Sequence, residues 1–113
     1  MKLTVKQSGV PVGTYLARFT GTKETENDFG EGLAWEFDVQ SGAHAGAKAG
    51  RITGRTPTTK NACGKMLASI SGKSLSAGEE IDLADYIGRN YLIIVAETPS
   101  GSTRVESVAL PPI

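Results

Sequence analysis

Arg51 and Arg55 stand four residues apart in Ala49 to Thr56, a stretch that reads as a strand loosened by Gly50 and Gly54. On an extended chain that spacing is two pleats. Both guanidinium groups would then share a face about 13 Å apart, roughly two phosphate spacings along an extended single strand. Guanidinium suits this contact because it pairs with phosphate oxygens and also stacks on flat rings. Lys48, Lys60 and Arg18 are the supporting cations. Tyr91, at a strand edge beside Arg89, and Phe29, in the loop after the first strand, are the aromatics expected to be exposed for stacking.

Covalent chemistry has no comparable constellation. His44 is the only histidine and sits among Ser41, Gly42, Ala43, Ala45 and Gly46, which is hairpin-tip composition. Gly72-Lys73-Ser74 resembles the end of a phosphate-binding loop, but the position where that motif needs its first glycine is Leu67, and no strand leads into it. Glu79, Glu80, Asp82 and Asp85 lack the spacing of a calcium loop and read as solvating and helix-capping acids. The single cysteine, Cys63, excludes an internal disulfide and a multi-cysteine metal site, and reads as core filling. The expectation is a non-enzymatic protein without a metal or cofactor.

The elements that must position these cations follow from periodicity. Leu33 to Gln40 is apolar at every odd position and mostly polar between, so Trp35 and Phe37 should face a core and Glu36 and Asp38 solvent. Gly13 to Thr20 is the strand before it, with Tyr15, Ala17 and Phe19 on one face and Leu16 and Arg18 on the other; Tyr15 and Phe19 fit either a core or a stacking role. Thr58 to Ile70 carries Ala62, Cys63, Met66, Leu67 and Ile70 at helical spacing, with Thr58 or Thr59 as N-cap and Gly72 as terminator. Gly64 inside it costs about 1 kcal/mol relative to alanine, so this helix needs docking to persist. Ser76 to Gly88 reads as a loop with one helical turn, Tyr91 to Ala96 as a strand apolar on both faces, and Thr103 to Leu110 as the last strand after a turn at residues 98–102. Three strands, one helix and two strands is the order of the OB-fold, a five-stranded, partly open barrel whose open face and loops bind oligonucleotides or oligosaccharides.

The chain of 113 residues fits a single domain spanning 1–113, large enough to bury about 65% of its unfolded surface. No apolar run approaches the ~18 residues of a membrane span, and Met1-Lys2-Leu3-Thr4 does not begin a signal peptide, so a cytoplasmic location is expected. Twelve basic and twelve acidic residues cancel, yet they are unevenly placed. From Ala43 to Gly78 the chain carries Lys48, Arg51, Arg55, Lys60, Lys65 and Lys73 and no carboxylate, whereas Glu24 to Gln40 carries six acids and no base. A basic third strand and helix can attract phosphate on a neutral molecule, and acids on the second strand oppose it.

Gly13-Thr14-Tyr15-Leu16-Ala17-Arg18-Phe19, then Trp35-Glu36-Phe37-Asp38-Val39-Gln40-Ser41-Gly42-Ala43-His44-Ala45-Gly46, then Ile81-Asp82-Leu83-Ala84-Asp85-Tyr86-Ile87-Gly88-Arg89 before an apolar strand, resemble small phage replication-module proteins. Those are similar to single-stranded DNA-binding proteins with OB-folds. The chain departs from them in its zero net charge and in carrying no acidic carboxy-terminal run. The resemblance implies sequence-tolerant binding of single-stranded DNA in phage-type replication or recombination, in the host cytoplasm. Unpaired sheet edges add the expectation of a homo-oligomer. A structural or protein-interaction barrel, such as a virion component or adaptor, is the alternative of a different class. An oligosaccharide-binding barrel is disfavoured by the small number of aromatics.

Overall fold

The computed structural model describes Leu3 and residues 10–27 and 30–111. Five strands, β1 (Gly13–Asn27), β2 (Gly30–Val39), β3 (Lys48–Thr53), β4 (Asn90–Glu97) and β5 (Thr103–Ala109), form one antiparallel sheet in the order β3-β2-β1-β4-β5. The one α-helix, α1 (Ala62–Ser71), lies between β3 and β4 in the chain, and a 3-10 turn at Leu83–Asp85 follows it. The expected element order is therefore present. The sheet is open, because no ladder joins β3 to β5, although these two edge strands bring Cα atoms within 8 Å of each other.

The alternation in β2 works as its periodicity implies: Trp35, Phe37 and Val39 are buried and Glu36 is exposed. Opposite them Ala17 and Phe19 of β1 are buried, as are Ile93 and Val95 of β4 and Val105 and Val108 of β5. Cys63, Met66 and Ile70 of α1 complete this core, which answers how a short helix with a glycine inside it persists. Two buried polar contacts fix the pieces. Trp35 Nε1 donates to Thr53 Oγ1 at 2.9 Å, and the Tyr91 hydroxyl donates to the Ile70 carbonyl at 2.6 Å.

Strand and helix limits differ from the sequence reading for local reasons. β1 continues past Thr20 to Asn27, because a bulge between Phe19 and Gly21 resets the side-chain parity and lets Thr22 face Trp35. β4 pairs with β1 only over Gly13 to Arg18, and β3 pairs with β2 only from Leu33, so residues 24–27 and 30–32 extend as a two-stranded arm carrying Glu24, Glu26 and Glu31. β3 ends at Thr53, short of Arg55.

The helix N-cap is Asn61, not Thr58 or Thr59. Its side-chain oxygen accepts from Gly64 N at 2.8 Å, while Thr58 Oγ1 accepts from the N–H groups of Lys60 and Asn61. Gly64 has a specific reason to be glycine: a Cβ there would sit 1.6 Å from the Thr58 carbonyl oxygen, so the loop before α1 packs directly on the helix backbone. Gly72 terminates the helix at φ 71° as expected. No helix among the described residues is long and apolar enough to cross a membrane.

Candidate nucleic-acid interface

Lys48, Arg51 and Arg104 line an open groove of about 480 Å³ that follows the β3 edge and is walled on its far side by the β4–β5 turn through Thr98 and Ser102. Because the groove runs along an edge, it collects residues from both faces of the sheet. Gly50, between the two β3 cations, also lines the groove, and a Cβ there would lie 2.7 Å from the Trp35 carbonyl oxygen, so the close packing of β3 on β2 calls for glycine.

Each expected cation has a distinct place. Lys48 stands opposite Asp38, which stands opposite Arg18, so the outer face of β3, β2 and β1 carries a row of plus, minus and plus. Lys48 Nζ lies 3.2 Å from Asp38 Oδ1 with 77% of its side chain exposed, and such exposed pairs hold by only ~0–1 kcal/mol. Arg18 is exposed at the other end of the row. Arg51 is opposite Trp35 and so turns to the inner side of the edge, where its NH1 group donates to the Glu106 carbonyl at 3.2 Å and spans the gap between β3 and β5. Lys60 is exposed just before α1, away from the groove.

Two expectations are corrected. Arg51 and Arg55 do not form a two-pleat pair, because the strand ends between them. Arg55 is instead a tether for the β1–β2 arm: Nε donates to Gly32 O at 2.9 Å, NH2 donates to Thr25 O at 2.8 Å, and NH1 lies 3.3 Å from Glu31 Oε2. Tyr91 is not an exposed stacking surface. It is 0% exposed, its ring sits in the core and its hydroxyl is committed to Ile70. Phe29 lies outside the described residues.

Arg104 and Gly50 are groove residues that the charge run from Ala43 to Gly78 did not single out. Arg104 lies beyond that run, and only the sheet order, which brings β5 round to face β3, reveals it. The opposing charges are Glu36, exposed on the groove wall, and Glu106, whose carboxylate is 3.3 Å from Arg104 Nε. The groove itself offers no aromatic face, since Trp35, Phe19 and Phe37 are buried. Tyr15 is half-buried with its hydroxyl donating to Pro11 O, and Tyr86 is half-buried beneath the Arg89 guanidinium, 4.8 Å from its ring centroid.

The cations of the groove can hold an anion. Burial pushes the Cys63 thiol above its ordinary pKa, against a smaller opposing effect of its hydrogen bond with Thr53, so it is held as a neutral core group. His44 is exposed in the β2–β3 turn, edge-on to Tyr15 at 6.0 Å between ring centroids. Among the described residues no group of three or more His, Cys, Asp or Glu side chains could hold a metal ion. Compared with known proteins, the chain matches no family model and no curated protein.

Proposed function

We propose that the protein is a sequence-tolerant single-stranded DNA-binding module of the OB type, serving phage-type replication or recombination. The observation that carries this reading is the groove in which Lys48, Arg51 and Arg104 converge from β3 and β5. The sheet order, the helix between β3 and β4, and the approach of β3 to β5 support the OB part of this reading, as a barrel open at that seam. The phage setting and the choice of DNA come from the resemblance in the sequence.

With no aromatic platform in the groove, attraction comes chiefly from phosphate contacts, and it is independent of base sequence and steeply dependent on salt. The test is titration of a fluorescent oligo-dT at two salt concentrations. Binding that weakens by about tenfold or more between 50 and 200 mM salt supports the reading; no binding at the lower salt overturns it.

A second reading has its own support. Ile94 is 48% exposed on the outer side of β4, flanked by half-buried Leu92 and by Leu16 of β1, an apolar strip that suits protein contact. A structural or interaction barrel would use that strip and ignore the oligonucleotide.

A further inference from the structure

A second depression, of about 520 Å³, opens between α1, β3 and β5, with Arg51 from β3, Lys65, Met66 and Ser69 from α1, and Glu106 and Ser107 from β5 among its walls. Arg51 lines this cleft and the groove alike, so it stands on the wall between them.

The cleft's charges are unevenly committed. Glu106, its one carboxylate, is engaged by Arg104 from its own strand at 3.3 Å. Lys65 is exposed and forms none of the ion pairs found among the described residues. The Arg51 guanidinium uses NH1 on the Glu106 carbonyl, while its Nε–H is buried with no acceptor. A buried donor without a partner is an expensive arrangement for a folded chain to keep. A swing of that guanidinium toward the cleft gives up one hydrogen bond to a carbonyl and presents two parallel N–H groups, Nε and a terminal nitrogen, which is the fork that matches two oxygens of a phosphate. Lys65 would add a point charge from the helix side, and Ser69 and Ser107 hydroxyl donors.

We propose that the cleft between α1, β3 and β5 is a phosphate-binding site, with Arg51 and Lys65 as its cations, into which the single strand's backbone continues from the groove. It rests on the single-strand reading for its natural ligand, but its phosphate chemistry stands on the cleft alone. Arg51 then acts as a pivot serving two successive phosphates rather than as one half of a strand-face pair with Arg55.

Nitrogen-15 NMR tests this directly, because an arginine Nε–H gives its own cross-peak. The isotopically labelled full chain is titrated separately with inorganic phosphate and with an eight-nucleotide oligo-dT. The expected result is that both probes move the Arg51 Nε–H peak and the Ser69 and Ser107 amides. Lys65→Ala should weaken the phosphate response of those peaks about three- to tenfold, whereas Lys73→Ala, which removes an equal charge just beyond α1, should leave it unchanged. If oligo-dT moves Gly50 and Lys48 while the cleft peaks answer neither probe, the cleft proposal is overturned and the groove reading survives. If phosphate moves the cleft peaks and oligo-dT moves nothing, the cleft binds phosphate and the single-strand reading falls. Equal weakening by Lys65→Ala and Lys73→Ala reduces the effect to net charge and overturns the site.

Discussion

The Arg55 guanidinium donates its NH2 group to the Thr25 carbonyl at 2.8 Å, tying the residue just past β3 to a strand 30 positions earlier. With the second bond to Gly32 O, it fastens the acidic β1–β2 arm to the end of β3. Arginine suits this place because its fork of donors satisfies two carbonyls of adjacent strands at once.

Arg55→Ala should therefore act on stability. Hydrogen bonds from a charged donor contribute about 1.5–3 kcal/mol each when intact, and water can replace part of that at a half-exposed site, so a loss of about 2 kcal/mol is expected. A thermal scan should show Tm lowered by roughly 8–10 °C. Oligonucleotide affinity, measured below that temperature, should hardly change. An unchanged Tm with weakened binding would return Arg55 to the interface.

Gly64→Ala tests the contact between α1 and the loop before it. Helix propensity alone predicts a gain of about 1 kcal/mol. The Cβ placed 1.6 Å from Thr58 O predicts the opposite, since helix and loop must separate. Overpacking of this kind costs ~1–3 kcal/mol or more, so urea unfolding should show a net loss of at least about 1 kcal/mol. A stabilised variant would refute the close packing.

Trp35 gives the molecule its own optical probe, as the only tryptophan. It is 1% exposed, with Nε1 bonded to Thr53, so its emission should be blue-shifted, resistant to iodide and insensitive to oligonucleotide. Trp35→Ala should cost about 3–5 kcal/mol. A red, quenchable emission would mean that the β2 faces are inverted.

Tyr91 predicts a pH dependence. Burial raises its hydroxyl pKa, with Arg89 lowering it and Tyr86 raising it by smaller amounts. The folded protein thus holds this proton to higher pH than the unfolded chain, whose tyrosines ionise near pH 10. The stabilisation is complete below about pH 10 and is lost as pH rises through the folded-state value. Tyr91→Phe removes the bond to Ile70 O, which should cost about 1 kcal/mol at neutral pH, and should flatten the alkaline decline. Equal alkaline slopes in parent and variant would remove Tyr91 as the cause.

The order of strands and helix was legible because β2 and α1 keep clean periods of two and about 3.6 residues, and both faces built from them meet in the core. The arm was not. The bulge at Gly21 resets the parity of β1, and beyond it Lys23, Glu24 and Glu26 show no apolar alternation to mark a strand. Tyr91 was misplaced because β4 is apolar on both faces, so Arg89 beside it suggested exposure; its parity with Ile93 and Val95 was the signal that places it inside. The groove was half legible. Lys48 and Arg51 stand out as a charge run, whereas Arg104 joins them only through the approach of β5 to β3, a long-range proximity that no local pattern encodes.

Groove electrostatics predict changes of opposite sign. Lys48→Ala with Arg104→Ala should lower the salt slope for oligo-dT by about 1.4, at ~0.7 for each lost phosphate contact. Glu36→Gln should do the reverse. Glu36 is exposed on the groove wall and takes part in no ion pair found among the described residues, so its charge acts on a bound strand only by repulsion. At separations of 4–8 Å in water that repulsion amounts to about 0.5–1 kcal/mol, a two- to fivefold gain in affinity at low salt that fades as salt is added. The substitution keeps the side chain's length at an outward strand position, so Tm should stay within about 2 °C of the parent. An affinity unchanged by Glu36→Gln, in a protein that still binds oligo-dT, would place the strand on another surface than the β3 groove.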